Sequence, residues 1–167
     1  MANLIFVDCE ACSEDGTGGG ICPGIGYLTE FGAVAYPSMK WFYGDLRPTF
    51  ILPATSSAEC DRMAQMEIFF KFDAWLKEQC KGFQPIFVSD NPAFDFPWIN
   101  YHFHDLLGRN PFGWSARRIG DYYAGLTNNW RNASKWKKLR ITKHTHHPVD
   151  DAMGNAEAFK RMEEGER

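Results

Sequence analysis

The order in which hydrophobic periodicities change along the chain constrains its fold more than any single motif. Two β-branched and aromatic runs come first, Asn3 to Cys9 (NLIFVDC) and Tyr27 to Tyr36 (YLTEFGAVAY), with Trp41 to Arg47 as a third strand candidate completing an antiparallel meander. Helical spacing then takes over from Ala58 to Lys81, where Met63, Met66, Phe69, Phe70, Phe72, Trp75, Leu76 and Cys80 form a stripe that Gly82 stops. Pro85 to Ser89 reads as a buried strand, Ala93 to Leu107 as a helix ending at Gly108, and Arg117 to Tyr122 as a further strand. A short basic helix is expected over Trp130 to Leu139. A last helix opens at Pro148, where a proline's missing N–H costs nothing, and runs to about Met162 with Val149, Ala152, Ala156, Phe159 and Met162 on its buried side. Strands first, then helix and strand in alternation, predict an α/β fold around a mixed sheet rather than a pure doubly wound one.

With 167 residues and 44% hydrophobic content, the chain can bury one substantial core, so residues 1–167 are expected to form a single domain with a frayed tail at 163–167. No apolar run approaches the roughly 18 residues of a membrane span, and Met1-Ala2-Asn3 does not open a secretory signal; a soluble, cytoplasmic protein is expected. Five cysteines, an odd count, favour reduced thiols.

Charge is strongly segregated. No Lys or Arg precedes Lys40, whereas between Arg109 and Lys143 nine cations face a single acid, Asp121. Such local asymmetry points to a polyanionic partner more directly than the overall net charge of −3, although a merely solvated basic face has the same signature. Within it, Lys135, Lys138 and Arg140 are interleaved with Trp130 and Trp136, a mixture suited to phosphate contacts and base stacking.

Four carboxylates and a histidine fall at the predicted ends of strands or starts of helices. In FVDCEA the two-residue strand repeat turns Asp8 and Glu10 to one side and Cys9 to the other. Two acids held side by side repel unless a cation lies between them. Asp95 falls in the first turns of a helix that follows a buried strand, and Asp151 in the first turn of the last helix, five residues after His146. Carboxylate oxygens are preferred by Mg²⁺ and Mn²⁺, and a pair of such ions can clamp a phosphodiester, so the set points to a nuclease.

Three segments, taken in order, resemble the exonuclease motifs of the DEDDh family of 3′→5′ exonucleases in the ribonuclease H-like superfamily. Asp8-Cys9-Glu10 resembles the first motif. The middle motif is met at Asn91, Phe94 and Asp95, and the third by His146 to Ala152 (HHPVDDA). The resemblance implies a five-stranded mixed sheet flanked by helices. It also implies two Mg²⁺ or Mn²⁺ ions held by Asp8, Glu10, Asp95 and Asp151, with His146 as the base for the attacking water. The implied reaction releases nucleoside 5′-monophosphates from the 3′ end of single-stranded nucleic acid, with Asn91 and Phe94 at the substrate.

Asp90 and Pro92 depart from the usual His and Ala of the middle motif, and Ala11 stands where many members have Thr, which leaves substrate preference open. The single-domain build with no polymerase attached leans toward RNA over DNA, and a homodimer is left open. Two rivals remain: a non-catalytic nucleic-acid-binding module on the same fold, and a structural zinc held by Cys9, Cys12 and Cys22, which lacks a fourth ligand. In the glycine-rich loop from Cys12 to Cys22 the glycines either let backbone approach a phosphate or make a mobile turn, of which the second is favoured, and the role of loop 13–26 as a whole stays open.

Overall fold

A computed structural model describes residues 3–13, 20, 22–47 and 58–167. Strands β1 (Leu4–Cys12), β2 (Tyr27–Tyr36) and β3 (Trp41–Asp45) are followed by helix α1 (Ala58–Gln79), β4 (Ile86–Ser89), α2 (Pro92–Leu107), β5 (Ala116–Arg118) and α3 (Ile119–Leu126). Two 3₁₀ turns, Trp130–Asn132 and Lys135–Leu139, lead to α4 (Pro148–Glu163). The sheet order is β3-β2-β1-β4-β5. β1, β2 and β3 pair antiparallel, and β4 and β5 extend the sheet in parallel from β1. This is a mixed five-stranded sheet flanked by four helices, consistent with a ribonuclease H-like fold.

Alternation along β1 decides where the chemistry lies. Ile5, Val7 and Cys9 enter the core layer beneath α1 and α2, together with Phe31, Phe69, Phe72, Phe87 and Phe103. Phe6 points to the opposite face, into the layer formed by Val34, Val88, Ile119, Trp136, Ala152 and Met162. By the same two-residue repeat Asp8 and Glu10 continue the Phe6 row, on the side covered by α4. Gly32 on β2 pairs with Asp8. A Cβ there would come within 2.4 Å of the Pro148 backbone, so a glycine is what lets the start of α4 rest on the sheet beside Asp8.

Three expectations need correction. The segment Arg117 to Tyr122 is a strand only to Arg118; from Ile119 it turns helical because Ile119 and Tyr123, four apart, pack back onto the sheet. The basic stretch is two 3₁₀ turns rather than one helix. In α1, Met63 and Phe70 are exposed although they share the apolar pattern, since Phe69, Phe72 and Leu76 already fill the face that meets the core. At the C-terminal end of α4, Arg161 pairs with Glu166 at 2.5 Å, and Arg167 donates to the Met162 carbonyl at 2.9 Å. Residues 14–19 and 21 of the glycine-rich loop lie outside the described residues.

Candidate active site

Three of the four expected carboxylates converge. Asp8 and Glu10 from β1 and Asp151 from the first turn of α4 each bring an oxygen within 4.8 Å of the others. Asp95 is set back from this triad. It is 3% exposed, and its Oδ1 accepts the backbone N–H of Cys9 at 3.0 Å, which pins the first turn of α2 to β1 between the two acids. It still acts on the site through charge: after burial itself, Asp95 is the largest influence pushing the Asp8 carboxyl up to about 9, followed by Asp151 and Glu10. Burial, opposed in part by the Cys9 amide, likewise raises Asp95. Burial raises Glu10 too, and the adjacent His146 works against that.

A cluster of this kind is electrostatically incomplete. Carboxylates forced together under burial prefer to stay protonated, unless a cation supplies the missing charge. Hard oxygen donors at this spacing, with Asp151 Oδ2 enclosed and accepting no hydrogen bond among the described residues, fit divalent Mg²⁺ or Mn²⁺.

The histidines are held over the triad by the loop that enters α4. Thr145 is fixed twice: its N–H donates to Asp151 Oδ1 at 3.2 Å, and its hydroxyl to Asp150 at 2.9 Å. The rings on either side of it, His144 and His146, meet edge to face with centroids 4.3 Å apart. His146 Nδ1 stands 3.9 Å from Glu10, and its backbone takes the left-handed conformation at φ 61°. Sequence reasoning gave His144 no part in the site, yet its Nδ1 is 2.8 Å from Asp151 Oδ2. The signal available was its two-residue spacing from His146. His147 lies outside this group, stacked on Tyr43 of β3 with centroids 5.3 Å apart.

The expected nucleic-acid contacts divide. Asn91 is exposed at the N-cap of α2 with no side-chain cap bond, and Phe94 is half-buried, edge-on to Trp98. Lys135 and Lys138 are exposed, and three residues apart in a 3₁₀ turn they share one edge, while Trp136 and Leu139 point inward. Arg140 is turned inward: its side chain is 9% exposed, bonds Asn155 Oδ1 at 2.5 Å and stacks over Trp136. Its charge is spent on Asp90, 3.6 Å away, which also holds Lys137 at 2.7 Å. Of the two tryptophans in this stretch, Trp136 is core and Trp130 is exposed. The thiols do not assemble a zinc site among the described residues: Cys9 is in the core, and no group of three ligands includes a cysteine.

No family model matches the chain. It is 29% identical over 161 residues, covering 86% of each sequence, to an Escherichia coli protein named 3'-5' DNA exonuclease Cap18. That similarity supports the 3′→5′ exonuclease resemblance carried by the three motifs. Among the described residues, no helix is long and apolar enough to cross a membrane.

Proposed function

We propose that this relative of 3′→5′ exonucleases removes nucleotides one at a time from the 3′ end of single-stranded DNA, releasing nucleoside 5′-monophosphates. The observation that carries the reading is the convergence of Asp8, Glu10 and Asp151 from the two ends of the chain beneath two histidines. Asp8, Glu10 and Asp151 would hold two divalent cations, with Asp95 behind them supplying charge. When bound, the cations supply neutralisation of the scissile phosphate and of the oxygens that attack and leave. His146, exposed and on the solvent side of Glu10, is placed to accept the proton of the attacking water. Asn91, exposed at the start of α2, would orient the terminal nucleotide.

DNA replaces RNA as the preferred substrate class here. The RNA reading rested on the short single-domain build, but a relative matched over 86% of its own length is named for DNA. Digestion of 3′- and 5′-labelled oligomers of both chemistries tests the proposal. Release of labelled mononucleotide from the 3′ label at the earliest times, faster on DNA than on RNA, is expected. Internal fragments, or first release from the 5′ label, would refute it.

The lysine edge makes a separate expectation. If Lys135 and Lys138 track the backbone of the entering strand, Lys135→Ala and Lys138→Ala should each weaken binding alike for all sequences and reduce the salt slope by about one unit. Affinity measured against salt concentration checks this; unchanged slopes in both variants would make the edge a solvated surface.

A further inference from the structure

We propose that His144, His146 and Asp151 form a second metal site, which takes a borderline transition ion of the zinc class and, when filled, switches the neighbouring carboxylate site off. The three side chains present ligand atoms within 4.8 Å of one another. Asp151 is 1% exposed, and its Oδ2 faces the Nδ1 of His144 at 2.8 Å, an ion pair only when that ring is protonated. A cation shared by the three side chains supplies the same compensation for the buried carboxylate with both imidazoles neutral. Both histidines look onto the same oxygen because Thr145, between them, is tied to Asp151 and Asp150.

Donor chemistry separates this site from the carboxylate triad. Mg²⁺ takes oxygen ligands and keeps its waters, whereas two imidazoles and one carboxylate suit Zn²⁺ and its neighbours. Donors bound at about 2.0–2.2 Å to a tetrahedral ion stand about 3.3–3.6 Å apart. His144 must therefore retreat by several tenths of an ångström and His146 swing inward. Their side chains, 53% and 77% exposed, are free to do so. Three protein ligands leave the fourth position open to solvent, or to Glu10, 3.9 Å from His146.

Binding does not depend on the exonuclease reading. The inhibitory consequence does rest on it, because a zinc ion here engages both the candidate base and one of the carboxylates proposed to hold the catalytic cations. High zinc would thus silence the enzyme without competing for every ligand of the triad.

The test is titration of the chelator-treated, full-length chain with Zn²⁺ by calorimetry and with Co²⁺ as a visible-absorption probe. Wild type should bind one ion more tightly than any other, with Co²⁺ bands of tetrahedral intensity at the first equivalent. H144A and the milder H144N should weaken it by at least the roughly 10–100-fold that loss of even an outer-shell partner costs. H147A and D8N should retain it. Binding by both His144 variants as tight as wild type would move the ion to the cysteines, and equal loss in D8N would move it to the triad; either result overturns the proposal. In Mg²⁺-supported digestion, half-inhibition by Zn²⁺ should shift to higher concentration in H144A, measured against that variant's own rate. If wild type binds the ion as described but digests nothing with any metal, the exonuclease reading fails and the site stands.

Discussion

Asp8→Asn should remove the proposed nuclease activity and, in the absence of divalent cations, make the protein more stable. Activity falls because the variant loses one of the three carboxylates that could share the cations. Charge neutralisation by such ions supplies several kcal/mol to the reaction, and each ~1.4 kcal/mol is tenfold in rate, so a loss of about three orders of magnitude is expected. Asp151→Asn should match it. The parent enzyme should be inert in EDTA, restored by Mg²⁺ or Mn²⁺, and not restored by Ca²⁺, whose looser coordination does not fix the reacting groups.

Stability moves the other way, by linkage. The Asp8 carboxyl, raised from 3.8 to about 9, keeps its proton in the folded, metal-free chain after the unfolded chain has released it. Stability is therefore full below about 3.8 and is lost progressively as pH climbs toward about 9. Asparagine has no proton to lose, so Asp8→Asn should melt several degrees above the parent in EDTA at pH 8, with the gap closing toward pH 4. Added Mg²⁺ should stabilise the parent more than the variant. Thermal melts across this pH range, with and without Mg²⁺, decide the matter. Retained cleavage by purified Asp8→Asn would sink the site, and a destabilised variant in EDTA would show that the acids are not under strain.

What could be seen in the sequence was whatever local periodicity controls. The alternation in FVDCEA sends Cys9 to the core and both acids to the other face, because a strand has only two sides. The start of α4 was legible because Pro148 marks it, and the end of α2 because Gly108, which adopts the left-handed cap conformation, follows it. Ambiguity entered where elements are short. β5 pairs through three residues only, and Arg117 to Tyr122 carries the same bulky residues whether extended or helical. Over Trp130 to Leu139 a 3₁₀ path and an α-helical one share most of their pattern, and both keep Lys135 beside Lys138.

Relationships between distant residues were invisible. Asp90 holds Lys137 and Arg140, which lie some fifty positions away, and only the parallel pairing of β4 with β1 and β5 brings those segments together. Arg140, expected at a phosphate from its place in the basic run, is held by Asp90 and Asn155, contacts that local spacing does not reveal. Asp95 illustrates the reverse: its place near the site was readable, but its bond to the Cys9 amide, which sets it back from the triad, was not.

His146→Ala should lower turnover by about 10²–10⁴-fold while leaving Mg²⁺ and DNA binding intact, because loss of a general base removes a proton acceptor and not a ligand of the triad. The comparison that gives this force is among the three histidines of one short loop. His147→Ala should be mild, since that ring packs on Tyr43 away from the carboxylates. His144→Ala should fall between the two: it contacts Asp151 but lies farther along the loop from Glu10. Single-turnover rates on a 3′-labelled strand, with binding measured separately, resolve the order. A dead His144→Ala beside an active His146→Ala would transfer the base to the residue 2.8 Å from Asp151 and move the attacking water to the α4 side of the triad. A dead His147→Ala would require the loop to shift its register by one residue. That is hard to reconcile with Thr145, whose N–H and hydroxyl are both anchored to the first turn of α4 and so fix which rings can look inward.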